Sequence, residues 1–255
     1  MKRLKDLELA ESIFGNWEET IILSCLQGVM GEIWVDNDRQ PQSALAKLGK
    51  EASFGFLAGR PNIDLLELCR GQDIILVPQN QVWADFIEDI YKEKAQGFIR
   101  YATEKNTIFD EKLLKAIVDN LPSDFELRRI DHKLYDLCLE KDWSQDLVAN
   151  YDNITHYQKL GLGVAILHQG QLVAGASSYS TYQGGIEIEI DTHPAYRRRG
   201  LAKIAGAKLI LECLARGLYP SWDAHTKISL YLAQQLGYQF AYEYIAYVID
   251  WKKEK

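Results

Sequence analysis

Residues 184–202 read Gly-Gly-Ile-Glu-Ile-Glu-Ile-Asp-Thr-His-Pro-Ala-Tyr-Arg-Arg-Arg-Gly-Leu-Ala, and an apolar-striped segment follows as far as Gly217. Ile186, Ile188 and Ile190 alternate with Glu187, Glu189 and Asp191, the period of a strand with one apolar and one acidic face. After Pro194 come Arg197, Arg198, Arg199 and Gly200, and then Ile204, Ala207, Leu211, Leu214 and Leu218 at helical spacing. The spacing predicts a strand, a basic turn and a helix closing at Arg216-Gly217. Such a turn suits phosphate: the first N–H groups of a helix have no intrahelical partner and point outward. Arginine adds charge and fork-shaped donors, and Gly200 removes the Cβ that would keep a ligand off the backbone.

The rest of the chain bounds what that turn can serve. With 255 residues, 47% hydrophobic and 25% charged, the chain has the composition of one large folded domain or two small ones. A net charge of −7 argues against a nucleic-acid binder and for a small anionic ligand at a local basic turn. Cys25, Cys69, Cys138 and Cys213 are far apart and suggest no metal cluster, only buried free thiols of a cytoplasmic protein. No signal-like N-terminal run and no apolar stretch of membrane-spanning length is expected.

Around the turn, the pattern predicts a helix within 1–18 and β-rich segments at 20–27, 29–36, 43–48 and 52–58, with Gly49-Lys50 as a turn. A helix capped by Asn62, a strand over 73–77, a helix over 82–91 with Val82, Phe86, Ile87 and Ile90 on one face, a strand over 97–102 and a helix over 111–118 come next. Leu121-Pro122-Ser123-Asp124 marks the boundary between domains 1–122 and 123–255. Beyond it come a strand over 125–130, a helix capped by Asp131, a helix from Ser144 through Tyr157, and strands over 164–167 and 172–180 joined at Gln169-Gly170. A strand over 219–224, a helix over 227–236 and a final β segment over 238–249 complete the chain.

The motif (Gln/Arg)-x-x-Gly-x-(Gly/Ala), present as Arg197-Arg198-Arg199-Gly200-Leu201-Ala202 after Pro194-Ala195-Tyr196-Arg197, resembles the acetyl-CoA motif of the GNAT N-acetyltransferase superfamily. The order of elements from Val164 to Ile249, and Leu236-Gly237-Tyr238 closing the last helix, are similar to that superfamily as well. Gly28-x-x-Gly31-x-x-Trp34-x-Asp36, residues 56–59, residues 187–192 and Pro220-Ser221-Trp222-Asp223-Ala224 resemble the subfamily that includes the zwittermicin A resistance acetyltransferase.

This resemblance implies an α/β (α+β) GNAT fold: a mixed, mostly antiparallel sheet flanked by helices, preceded by an N-terminal α/β domain like a degenerate GNAT half. It implies acetyl transfer from acetyl-CoA to a primary amine of a small polar molecule by direct attack. The pyrophosphate falls to the turn of Arg197, Arg198, Arg199, Gly200, Leu201 and Ala202. The pantetheine arm falls to the backbone of Ile190, Asp191 and Thr192, on a strand that splays from its neighbour, and a backbone N–H there polarises the thioester carbonyl. Glu189 and Glu187 are the candidate bases, Glu189 lying nearer the acyl end; binding a cationic acceptor is the alternative role for both.

The family's general-acid tyrosine is absent. Aligning on Gly237 puts Thr226, Ser229 and Ala233 at the Asn, Ala and Tyr positions of the last helix, with Tyr231 on another side. Ser229 remains a contact for the pantetheine or sulfur, and Trp34, Asp36 and Asp38 are more commonly a packed indole and a turn than further acceptor contacts. A non-catalytic acyl-CoA sensor or interaction module is the competing function. No metal, nucleic acid or membrane partner is implied, and the oligomeric state is left open.

Overall fold

The computed structural model describes residues 1–49 and 53–253. Its contacts divide the chain into two units: residues 1–100 with 243–255, and residues 101–242. No helix among the described residues is long and apolar enough to cross a membrane.

The first unit begins with β1 (Lys2–Arg3), α1 (Glu8–Phe14), α2 (Thr20–Leu26), β2 (Glu32–Val35), β3 (Ser43–Leu48) and β4 (Ser53–Gly59). It continues through α3 (Ile63–Glu67), β5 (Ile74–Pro78) and α4 (Gln81–Tyr91). β1 to β4 form antiparallel pairs in sequence, and β4 pairs β5 in parallel. Side-chain caps start two of the helices: Asn62 accepts the Asp64 N–H and Asn80 the Trp83 N–H. Trp83, Ala84, Ile87 and Tyr91 supply the buried stripe of α4.

Two expectations change here, and one falls outside the described residues. The run Thr20–Leu26 is a helix, not a strand; Thr20, Ile21, Ile22, Ser24 and Cys25 are all buried, and a short run buried on most sides carries no period that separates the two. On α4 the buried stripe is set one residue over, leaving Val82 63% exposed. Lys50 and Ala52, expected in a turn and at a strand start, lie outside the described residues.

Two strands run from one unit into the other along the chain: β6 (Ala95–Thr103), and the last strand at residues 240–249. The second unit then contains α5 (Glu111–Asp119), β7 (Phe125–Arg129), α6 (His132–Leu139), α7 (Ile154–Leu160), β8 (Gly163–His168), β9 (Gln171–Tyr182) and β10 (Gly185–Thr192). α8 (Leu201–Leu214), β11 (Tyr219–Ser221), β12 (Asp223–Ala224) and α9 (Lys227–Gln235) follow, and β13 (Phe240–Ile249) pairs with β5 through Tyr247 and Val248. Five strands form a sheet in the order β11-β10-β9-β8-β7, antiparallel except for the parallel β10–β11 pair. The hairpin turn Gln169-Gly170 has both residues at positive φ (52° and 78°), the twist that a two-residue hairpin loop requires.

One core joins α5, α8 and α9 to this sheet, through Leu114, Ile117, Val164, Ile166, Ile186, Ile188, Ile204, Ile210 and Leu236. Leu121-Pro122-Ser123 therefore connects α5 to β7 inside the second unit, whereas the contacts divide the chain at Arg100. Two corrections concern connectivity. Ser144 does not start a long helix: residues 145–147 form a single tight turn, and α7 is capped separately by Asn153, which accepts the His156 N–H. The expected strand over 219–224 is two strands, β11 on β10 and β12 on β6, with Trp222 between them.

Candidate functional site

The site begins where β10 loses a neighbour. Gly185, Ile186 and Glu187 pair with Tyr219, Pro220 and Ser221 of β11. After Ser221 the chain leaves β10, and Asp223 pairs with Ala102 of β6. On its other edge β10 stays paired with β9 all the way to Thr192, with one irregularity in β9 opposite Glu187/Ile188. Residues 188–192 thus have a ladder on one edge only among the described residues.

Glu187 stands at the fork. It is only 7% exposed, and its Oε1 accepts the Asp223 N–H at 2.7 Å, tying together the two backbones that part there. The solvated acidic face that alternation suggests is not found at this residue. Glu189 is half-buried one step past the fork, and its Oε1 accepts the N–H of Ile190 at 3.1 Å. Asp191 shares the acidic face, and its carboxyl is pushed up to about 6, chiefly by burial and then by the nearby Asp146, against the opposing pull of Arg197. Asp146, in the tight turn at 145–147, carries no motif, and only the folded contacts bring it to Asp191.

The opposite face of β10 rests on α8. A Cβ placed on Gly206 would lie 3.0 Å from Ile190 Cδ1 and 2.9 Å from Leu236 Cδ1, so the absence of a side chain lets this helix sit close over the strand. Between strand and helix, Pro194–Tyr196 makes a single 3-10 turn, in which His193 Nδ1 accepts the Ala195 N–H. Arg198 and Gly200 both take positive φ (63° and 78°). The first bond of the helix runs from Ile204 N–H to the Gly200 carbonyl. The N–H groups of Leu201, Ala202 and Lys203 therefore have no intrahelical partner, and the leucine side chain itself is in the core. Arg197 donates from Nε to the Thr192 carbonyl at 3.3 Å, and the Arg199 guanidinium lies over the Tyr196 ring, 4.9 Å from its centre.

A coenzyme A arm and pyrophosphate fit these residues. Thr192 Oγ1, at the end of the open edge, is buried with no hydrogen-bond partner among the described residues. So is Ser180 Oγ, whose residue is paired directly with Glu187 across the strands. Orphaned buried hydroxyls are costly and mark places where a partner is missing.

The last helix of the motif is arranged differently from the family pattern. Ser229 Oγ accepts the Trp222 Nε1–H at 3.1 Å, while its own N–H is taken by the Thr226 cap. Ala233 is fully buried, and Tyr231 is 64% exposed. In the first unit, Trp34 donates to Glu32 at 2.9 Å, Asp36 Oδ1 accepts from Gln42 and Ser43, and Asp38 is held by Lys2 at 3.0 Å, which draws its carboxyl below the usual range. All three thus serve local structure. The four cysteines are buried and unpaired, and burial pushes each thiol up to about 12.

A mixed α/β protein with a half-open strand feeding a basic helix N-terminus is the class that fold and site define. The chain belongs to the GNAT acetyltransferase family: a family model of that description matches residues 11–247. It is 25% identical over 243 residues to "Uncharacterized N-acetyltransferase YdfB" of Bacillus subtilis (strain 168), covering 89% of each chain. A crystal structure of a GCN5-related N-acetyltransferase-like protein from Streptococcus suis 89/1591 matches with 53% identity and a TM-score of 0.94, over 96% of this chain and 98% of that one. A tandem GNAT protein from the clavulanic acid biosynthesis pathway shares the fold at 14% identity and a TM-score of 0.53, over 85% of this chain and 81% of that one. The protein is accordingly an N-acetyltransferase, and enzymes of its family use acetyl-CoA as co-substrate.

Proposed function

We propose that the chain transfers the acetyl group of acetyl-CoA to a primary amine of a small polar molecule by direct attack. The observation that supports it best is the one-sided strand at 188–192 leading into the free N–H groups at the start of α8. On this reading Arg197, Arg198, Arg199, Gly200, Leu201 and Ala202 hold the pyrophosphate, the last two through their backbone. The edge of Ile190, Asp191 and Thr192 holds the pantetheine arm. Bound there, acetyl-CoA supplies an activated acyl carbon, and a fixed backbone N–H of this strand is suited to developing charge on its oxygen.

An amine must lose a proton before or during attack. Glu189, past the fork and close to the open edge, is the proposed base. Glu187 shares the acidic face, but one of its oxygens is committed to Asp223. It is proposed as a second base or a contact for a cationic acceptor, with its structural tie as its first duty. Ser229 remains a contact to the arm, its oxygen already accepting from Trp222. The resemblance of the sequence motifs to the zwittermicin A resistance subfamily makes aminopolyols a class of acceptor to try. Residues 1–122 are proposed as an accessory, degenerate GNAT-like portion, and the setting as cytoplasmic.

The test is release of free coenzyme A thiol on incubation with acetyl-CoA and a panel of amines that includes aminopolyols and polyamines. Release that requires both an amine and Glu189 supports the proposal. Tight coenzyme A binding without release for any amine points instead to an acyl-CoA sensor.

A further inference from the structure

Three residues from separate parts of the second unit converge on the basic turn, and the acetyl-transfer chemistry makes no use of them. Asp124 precedes β7, His168 ends β8, and Tyr196 closes the 3-10 turn ahead of the arginines. Asp124 Oδ2 lies 3.2 Å from His168 Nε2, and His168 Nδ1 lies 2.9 Å from the Tyr196 hydroxyl. The assignment of protons follows from chemistry. The Asp124 carboxylate beside Nε2 favours a hydrogen on that nitrogen, and in the neutral ring this leaves Nδ1 to accept from the Tyr196 O–H.

The His168–Tyr196 pair has little freedom. The His168 ring is packed against Phe125 at 4.7 Å and is tilted against Tyr196 at 5.5 Å. Tyr196 also meets His193 at 5.8 Å, and its N–H donates to the His193 carbonyl. The Arg199 guanidinium lies over the Tyr196 ring, 4.9 Å from its centre. A guanidinium over a ring keeps its in-plane donors available, because stacking uses the face of the cation and not its N–H groups. Arg198, between them, is held at positive φ, so the loop presents its arginines in one fixed order.

We propose that Asp124, His168 and Tyr196 form a positioning relay that orients Arg199 toward the phosphates of coenzyme A. This rests on the assignment of the turn to that cofactor. The relay sets cofactor affinity and leaves the acetyl-transfer step alone: these are positioning residues, not catalytic ones. A ring hydrogen-bonded at its hydroxyl and packed by neighbouring rings gives a long arginine a fixed surface to lie on. Without such a hold, arginine's rotamer entropy opposes phosphate binding.

The test is calorimetric binding of coenzyme A by the full chain, together with steady-state KM for acetyl-CoA and kcat. Tyr196→Phe keeps the ring and deletes the bond to His168; His168→Ala deletes the relay at its centre. Each is expected to raise Kd and KM by about fivefold or more with kcat within about twofold, the size of one oriented cation contact. His168→Asn puts an amide near the position of Nδ1, and it is expected to restore most of the affinity that His168→Ala loses. A merely structural role would lower thermal stability in all three variants and would not separate KM from kcat. Wild-type affinity in Tyr196→Phe and His168→Ala, or equal loss of KM and kcat, overturns the relay alone. Absence of coenzyme A binding by the wild-type protein overturns the cofactor assignment of the turn and the relay with it.

Discussion

β10 contains two different environments end to end. From Gly185 to Glu187 it is paired on both edges, and its acidic residue is spent on structure. From Ile188 to Thr192 it is paired on one edge only among the described residues, and its acidic residues Glu189 and Asp191 are partly buried. Two glutamates two positions apart on the same face therefore differ in duty, because only one of them lies where the neighbouring strand is still present. Glu187 ties together two backbones that part at the fork, whereas Glu189 bonds only the N–H of the next residue on its own strand.

The sharpest break of this contrast is at Glu189. Glu189→Gln is expected to cut kcat by about a hundredfold or more at neutral pH, typical for loss of a general base, with thermal stability nearly unchanged. A Glu189→Gln enzyme of wild-type rate would remove the base from this residue and leave acceptor binding as its role.

Glu187 should show the reverse profile. Glu187→Ala leaves the Asp223 N–H buried without its acceptor, and a loss of about 1–3 kcal/mol in unfolding free energy is expected from chemical denaturation. Glu187→Gln retains an oxygen for that bond and should lose clearly less. If both variants unfold like the wild type, the fork is held by the backbone alone.

Asp191 adds a dependence on pH. Its folded pKa, about 6, lies above the ordinary value of 3.8, so the native chain binds an extra proton between these values. Stability attributable to this group therefore falls as pH rises through the window, and the cost is complete above it. Asp191→Asn is expected to stabilise the protein at pH 8 relative to the wild type by about 1–2 kcal/mol more than at pH 4, measured by denaturation at the two pH values. A difference that is the same at both would show that Asp191 titrates normally.

The smallest effect is expected at Tyr231, on the exposed side of α9. Tyr231→Phe should alter kcat by less than about twofold, as for an exposed side chain away from the chemistry. A large fall would make this phenol the missing general acid and would require α9 to rearrange.

Much of the site was legible before folding was considered. Strand, turn and helix at 186–217 are local: alternation, a proline and glycine at the helix entrance each act within a few residues, and all three elements appear, although α8 ends at Leu214 and buries Leu209, Ile210 and Cys213 where the expected stripe had Leu211 and Leu214. Caps at Asn62, Asp131 and the hairpin at Gln169-Gly170 were readable for the same reason. The misreadings have a common cause. Thr20–Leu26 is buried on too many sides to show a period, and the split of 219–224 into two strands depends on which strand each half meets, not on its own residues. The relay from Asp124 to Tyr196 spans three separate segments and leaves no spacing to detect.

By itself, the sequence determined a GNAT-type α/β chain with a basic, glycine-opened helix N-terminus behind an acidic strand. Tertiary structure alone decided which part of that strand is left unpaired, which glutamate is tied down, that Asp191 faces Asp146, and which ring supports Arg199. Local elements follow from torsional preference and hydrophobic period, properties of neighbouring residues. Sheet edges, buried charges and stacked side chains depend on partners tens of residues away, which only the folded chain brings within hydrogen-bonding distance.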